Sequence, residues 1–253
     1  LRVRGNLIVD GTGGGGGGGT AETGYSNVKA DFGAVGNGTT DDTTAINNAL
    51  QAGGAVYFPA GTYRVTSMIT VTNKALHMYG DGQASRIMFD PASSGENFLN
   101  LQYNDGTPNP SQAYAISNLV IHAKQNKVCG FGVRLHFTGA ATLVGVCNKL
   151  TLTNVDIGSE FTSDANTGYF KQGLHMLNSA GVVGTNLNIY TNAKTKVEYG
   201  VTDSVGINIE NSMAGHNMIR TLYLNNFYIQ RYHTGIRSYS SAGNSYNNIE
   251  SLY

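Results

Sequence analysis

Three carboxylates, Glu160, Asp164 and Glu198, lie in two segments that also hold aromatic rings. Residues 157–171 place Glu160 and Asp164 beside Phe161, Tyr169 and Phe170. Residues 190–203 place Glu198 beside Tyr199, with Lys194, Lys196 and Asp203 nearby. Paired carboxyl groups are what glycosidic hydrolysis requires, about 5–5.5 Å apart for retention and about 6.5–9.5 Å apart for inversion. Aromatic neighbours would stack on sugar rings and raise the pKa of an acid by excluding water. We therefore expect a catalytic pair drawn from Glu160, Asp164 and Glu198, with Tyr169 and Tyr199 as ring contacts. The competing reading is that these are charged loop residues and nothing more. A second set, Arg134, His175 and Arg237, would suit an acidic sugar. Elimination at a uronate needs such a cation together with a Tyr, His or Lys base.

These residues can act together only if the fold repeats, and the sequence does. Asn-apolar-x-Ile occurs at Asn118, Asn154, Asn186 and Asn226, with a degraded copy at Asn248, at spacings of 36, 32, 40 and 22 residues. Gly-apolar-x-apolar begins at Gly132, Gly173, Gly206 and Gly235 and alternates with the first pattern without exception. Such interleaving predicts a coil in which each turn gives one strand to each of several parallel sheets. The second and fourth positions of each copy point inward and the third outward. One outward column then reads Val120, Asp156, Asn188, Tyr228 and Glu250, and the other reads Arg134, His175, Asn208 and Arg237. Asp156 and Glu250, three turns apart at about 4.8 Å per turn, are too distant to pair. Loops 157–171 and 190–203 both follow the Asn strand, so they should leave the same edge of the coil. Asn at the corner tolerates left-handed backbone geometry and can bond its counterpart one turn away.

Upstream, Asp41 or Asp42 is suited to cap a helix over Thr43–Gln51, where Ala45, Ile46, Ala49 and Leu50 share one face and Gly53-Gly54 ends it. Strands Ala55–Phe58 and Tyr63–Val65 follow. One short helix before many strands predicts a lid over the open end of the stack. Gly13–Gly19 reads either as a flexible linker or as a run of unassigned positions.

Composition narrows the function classes. Only 13% of residues are charged, 16 basic and 16 acidic, while Gly reaches 34, Asn 27 and Tyr 15. A neutral, amide- and hydroxyl-rich surface argues against nucleic acid, which is bound with clustered Lys and Arg. No apolar run reaches the ~18 residues of a membrane helix. Cys129 and Cys147 are too few for a metal or disulfide framework and read as small buried hydrophobes. No cofactor or metal is expected.

The segment Asp31-Phe32-Gly33-Ala34, with Asp41-Asp42-Thr43 and Ala45-Ile46, precedes Val56-Tyr57-Phe58-Pro59-Ala60-Gly61-Thr62-Tyr63 and Leu76-His77-Met78-Tyr79-Gly80-Asp81-Gly82. It resembles the opening module of the pectate-lyase-like β-helix superfamily, particularly bacteriophage tailspike depolymerases. Asn37 stands where that family more often has Asp. The Asn-Thr-Asp, Gly-Asp-Asp and Arg-Ile-Lys motifs of its polygalacturonases are not found, nor is a pectate-lyase Asp cluster. The module is a fold signature, so Asp31, Asp41 and Asp42 are expected as turn and cap residues. The resemblance implies an all-β, single-stranded, right-handed parallel β-helix with a short N-terminal capping α-helix. Residues 1–27 would be an arm, 28–82 the entry module, and 83–253 helix turns cut short at the C-terminus. It further implies a homotrimeric spike in the virion tail, joined to other tail proteins through its N-terminal region. That spike would bind and depolymerise a bacterial surface polysaccharide, capsule or O-antigen, as hydrolase or lyase. The alternatives are a spike that only adheres, a structural tail component, or a secreted microbial polysaccharide lyase or hydrolase.

Overall fold

The protein was studied as a computed structural model, which describes residues 24–104, 113–139, 148–160, 168–179, 181–191, 204–212, 222–240 and 251–252. In chain order the elements are β1 (Ser26–Asn27), β2 (Asn37–Asp41), α1 (Thr43–Ala52), β3 (Gly54–Phe58), β4 (Gly61–Val65), β5 (Ile69–Thr72), β6 (Leu76–Gly80), β7 (Ser85–Phe89) and β8 (Leu99–Tyr103). They continue with β9 (Tyr114–Ala123), β10 (Val128–Phe137), β11 (Asn148–Ser159), β12 (Tyr169–Leu177), β13 (Gly181–Tyr190), β14 (Val205–Asn211), β15 (Leu222–Gln230), β16 (Thr234–Ser240) and β17 (Ser251–Leu252).

Every recorded strand pairing is parallel, and partners come from successive turns rather than from chain neighbours. The result is a parallel β-helix with three sides. Sheet I runs β1, β3, β6 and then the first halves of β9, β11, β13 and β15, ending at β17. Sheet II runs β2, β4, β7 and then the second halves of the same long strands. Sheet III runs β5, β8, β10, β12, β14, β16. Residues 114–117 of β9 pair with β6, while 120–123 pair with β7, so the strand turns a corner at Asn118.

That corner explains the repeated asparagine. Asn118, Asn154, Asn186 and Asn226 have φ of 52, 54, 51 and 51°, left-handed values that Asn accepts more readily than other residues with a side chain. Their side chains form a ladder. Asn154 Nδ2 donates to Asn118 Oδ1 at 2.9 Å, Asn186 to Asn154 at 2.7 Å, and Asn226 to Asn186 at 2.5 Å. Each exposed rung contributes about 0.5–1.5 kcal/mol at most. Its larger effect is to fix which residues of successive turns are neighbours.

The glycine pattern answers a packing demand at the opposite side. A side chain at Gly173 would place its Cβ 2.3 Å from Ile189 Cγ2 and 2.9 Å from the Gly206 carbonyl. At Gly206 it would lie 2.4 Å from Ile229 Cγ2. The Ile that closes three of the Asn copies, Ile157, Ile189 and Ile229, therefore packs onto the Gly that opens a Gly copy, Gly132, Gly173 and Gly206. The two motifs are the two halves of one contact across the core.

Inward positions are apolar throughout: Leu119, Ile121, Val155, Ile157, Leu187 and Ile189 are buried, as are Val133, Leu135, Leu174, Met176, Ile207 and Ile209. Helix α1 runs one residue beyond the expected span and stops where Gly53 adopts φ 76°. Its Ile46, Ala49 and Leu50 belong to the same core. The adjacent acids divide the work at its start. Asp41 accepts bonds from the Thr43 amide and hydroxyl, whereas buried Asp42 turns back to accept the Val35 and Gly36 amides at 2.7 and 3.0 Å. Asn37 accepts the Thr39 and Thr40 amides within β2. Cys129 is buried, and that burial pushes its thiol up to about 12. Cys147 lies outside the described residues.

Candidate functional site on the outer face of sheet III

Alternation along a strand sends every second side chain outward, and parallel register stacks those side chains into columns about 4.8 Å apart. On sheet III the pairing aligns Asn100, Arg134, His175, Asn208 and Arg237 in one column. Two residues further along each strand a second column holds Gln102, His136, Leu177, Glu210 and Tyr239. The three basic residues expected from sequence therefore share one face, and a carboxylate and a phenol stand beside them.

The face is held together by its own polar contacts. Arg134 Nε donates to Asn100 Oδ1 at 2.9 Å, and its guanidinium lies 4.4 Å from the Phe131 ring centroid. Arg237, two turns beyond His175, repeats the arrangement, donating to Asn208 Oδ1 at 3.0 Å over the Tyr239 ring at 5.0 Å. Asn208, fully buried, passes its own amide to Gln172 at 3.3 Å. These contacts fix both cations in place before any ligand arrives, which reduces the ordering cost of binding. His175 Nε2 lies 3.1 Å from Glu210 Oε2, and its Nδ1 is buried without a partner among the described residues.

Burial sets the protonation of this group. It pulls His175 down to about 4, reinforced by Arg134 and His136 and opposed by Glu210. Burial, then Arg134, also pulls His136 down to about 4. Tyr239 is held above its usual value by burial and by its hydrogen bond to Glu210. At neutral pH the two imidazoles are therefore neutral and the Tyr239 phenol is protonated.

The expected catalytic carboxylates fare differently. Glu160 sits just past β11 at the corner after sheet II, where its Oε2 accepts the Gln125 amide at 3.0 Å and its own amide bonds the Ala123 carbonyl. It ties two successive turns together there. Asp164, Glu198 and Tyr199 lie outside the described residues. Tyr169, expected as a ring contact, is 8% exposed and packs against Val128 at the start of β12, outside the main core. That leaves little ring surface for a sugar. Sequence reasoning missed Glu210, His136 and Tyr239. One further step of the same alternation beyond Asn208, Arg134 and Arg237 would have reached them.

Sheet II carries a second polar surface. Its columns align Arg86, Val120, Asp156, Asn188 and Tyr228, and next to them Met88, His122, Gly158, Tyr190 and Gln230. Val120, expected outward, is buried, because Gln83 from the turn before β7 reaches past it to bond the Asp156 carboxylate. Asn188 Nδ2 donates to the other Asp156 oxygen at 2.6 Å. His122 Nε2 and Tyr190 Oη meet at 2.7 Å across the bare Gly158.

A family model described as rhamnogalacturonase A/epimerase, pectate lyase-like, matches residues 25–252. The chain is 34% identical over 119 residues to alginate lyase 7 of Azotobacter vinelandii, covering 41% of this chain and 13% of that protein. It is 29% identical over 104 residues to the preneck appendage protein of Bacillus phage PZA, covering 40% of this chain and 12% of that protein. Among solved structures it resembles ORF18 of Geobacillus virus E2, with TM-score 0.51 and 23% identity over 87% of this chain and 40% of that one. That likeness speaks to the fold. The chain thus spans only a small part of the curated relatives it matches.

Proposed function

The chain belongs to the rhamnogalacturonase A/epimerase, pectate lyase-like family, and on that premise we propose that it is the coil of a bacteriophage tail spike that binds an acidic bacterial surface polysaccharide along sheet III and depolymerises it. The observation that carries this reading is the column Asn100, Arg134, His175, Asn208 and Arg237, with Glu210 and Tyr239 beside it. Two anchored guanidinium groups on one rigid face suit a row of sugar carboxylates, since Arg meets a carboxylate in a two-point fork. Placement in a virion is supported by the likeness to a phage appendage protein. Assembly as a homotrimer, attachment to other tail proteins through residues 1–27, and a lid role for α1 are parts of the same proposal.

For the chemistry, elimination is the better supported class. Glu210 is the one carboxylate in the two outward columns of sheet III among the described residues, whereas hydrolysis needs a pair. In elimination the arginines would neutralise the uronate carboxylate, which acidifies the neighbouring C–H. The neutral imidazole of the partly exposed His136 would accept that proton, and the Tyr239 phenol would protonate the departing glycosidic oxygen. Glu210, against His175 Nε2, would hold the neighbouring column in place. A catalytic pair from Glu160, Asp164 and Glu198 remains the hydrolytic version of the proposal.

The test is binding and turnover by the full-length protein on acidic and neutral polysaccharides. Elimination leaves an unsaturated, ultraviolet-absorbing uronate at each new chain end, and hydrolysis leaves none. Arg134→Gln and Arg237→Gln should each weaken binding of an acidic polymer by about tenfold, or about 1.4 kcal/mol. Binding that is indifferent to both substitutions would sink the sheet III assignment. Binding that depends on them with no change in polymer length would leave a spike that only adheres.

A further inference from the structure

We infer that the outer face of sheet II is a second saccharide site, one that takes uncharged sugar residues on a strip formed by Asp156, Asn188, Tyr190 and Tyr228. The inference rests on the reading of the coil as polysaccharide-binding but uses a different face and a different chemistry. Asp156, Asn188 and Tyr228 occupy successive turns of one column, so the strip spans about 10 Å along the coil axis, the length of a disaccharide. Tyr190 stands beside Asn188 in the neighbouring column.

Each member offers what a neutral sugar ring requires. Tyr228 is 53% exposed, with a ring available to the apolar face of a pyranose. The Asp156 carboxylate and the Asn188 amide are locked to one another at 2.6 Å, and Gln83 holds the second carboxylate oxygen. This leaves remaining lone pairs and one amide N–H in fixed directions toward vicinal hydroxyls. The Tyr190 hydroxyl meets His122 Nε2 at 2.7 Å, which fixes its position beside Asn188.

The charge balance separates this face from sheet III. Arg86 and Asp156 cancel in the same column, and Arg86 sits two turns from Asp156 with its Nε bonded to the Gln83 carbonyl. No excess positive charge is present among the described residues of these two columns, so nothing there favours a uronate over a neutral unit.

The His122–Tyr190 pair builds the strip and does not do proton chemistry. His122 is 7% exposed, and burial followed by the nearby Arg86 pulls it down to about 3. Burial, with Asp156, pushes Tyr190 up to about 12. A group useful in acid–base catalysis must reach the atom it protonates or deprotonates, and His122 Nε2 and Tyr190 Oη already face one another. The bond is permanent, and Gly158 shows what it demands. A Cβ there would lie 2.9 Å from Tyr190 Cδ2 and Cε2 and 2.5 Å from the Tyr190 carbonyl. The ring lies flat across the glycine and becomes a fixed wall beside Asn188.

The experiment is titration of the full chain with soluble neutral hexaoses of glucose and mannose and, separately, with hexagalacturonate. Wild type and the Arg134→Gln/Arg237→Gln double variant should bind a neutral hexaose equally. Tyr228→Ala should weaken that binding at least tenfold without changing the melting temperature or the hexagalacturonate affinity. Absence of neutral-hexaose binding in wild type, or neutral binding that is lost with the arginines and indifferent to Tyr228→Ala, would overturn the inference. Failure of the sheet III reading gives a different pattern, in which hexagalacturonate binding ignores the arginine substitutions.

Discussion

Sheets II and III are built from the same repeat, yet they treat histidine in opposite ways. On sheet III, buried His175 faces a carboxylate and shares a column with two arginines. On sheet II, equally buried His122 meets not a carboxylate but the hydroxyl of Tyr190. A parallel coil offers identical backbone geometry at every outward position, so the partner one or two turns away decides what a side chain becomes. Gly158 is the simplest case: lacking a side chain, it lets residues two turns apart touch.

Acid should stress this contrast most. His122, His136 and His175 all have folded values below 6.5. Stability from keeping them neutral is fully present above the unfolded value. It is lost as pH falls from about 6.5 toward 4 for His136 and His175, and toward 3 for His122, because the unfolded chain binds protons that the folded chain refuses. The summed loss is of order several kcal/mol and should appear as a falling melting temperature between pH 7 and 4.5. Imidazole resonances followed by NMR should titrate with His122 last. Protonation of His122 before His175 would erase the distinction between the faces.

Next in size is Gly158→Val, which strikes sheet II alone. Crowding the Tyr190 backbone should cost about 1–3 kcal/mol in a thermal melt, while hexagalacturonate affinity well below the melting temperature stays unchanged. A variant of wild-type stability would mean that the Tyr190 ring does not need the bare glycine.

Glu210→Gln addresses sheet III alone. Removing the carboxylate leaves both arginines and deletes a like charge facing a polyanion, so hexagalacturonate should bind several-fold more tightly, about 1 kcal/mol at a partly exposed site. His175 should then titrate lower still, since Glu210 favours its charged form. A rise in its titration point would contradict the assignment. Asn188→Ala should have the smallest effect on stability, about 0.5 kcal/mol, because Gln83 still holds Asp156. A loss of more than about 1.5 kcal/mol in a thermal melt would show that Asn188 carries the column's order.

The coil itself could be read before any coordinates, because the strict alternation of two motifs has few other physical meanings. Asn118 and its counterparts announce a left-handed corner, and Gly173 announces close approach. The column Arg134, His175, Arg237 was legible for the same reason, since period two decides which side chains share a face. Glu210 was not, because it lies past the end of its four-residue motif, where an isolated Glu looks like any solvated charge. The His122–Tyr190 contact was less accessible still. It joins residues 68 apart through a glycine belonging to neither motif, and only the register of three successive turns brings them together. Tyr169 reads as a sugar contact because it follows loop carboxylates, and its burial against Val128 depends on strand pairing that the sequence does not display.

The corner asparagines carry a consequence for how such a chain can diversify. Alignment between turns is enforced locally, by one Asn rung and one Gly–Ile contact, so the stretch between successive asparagines is free to differ, as the spacings of 36, 32 and 40 residues show. A whole turn, from one asparagine to the next, can therefore be exchanged as a cassette between related chains while the turns above and below keep their alignment. Ligand preference could then change in steps of a single turn, with the scaffold inherited intact.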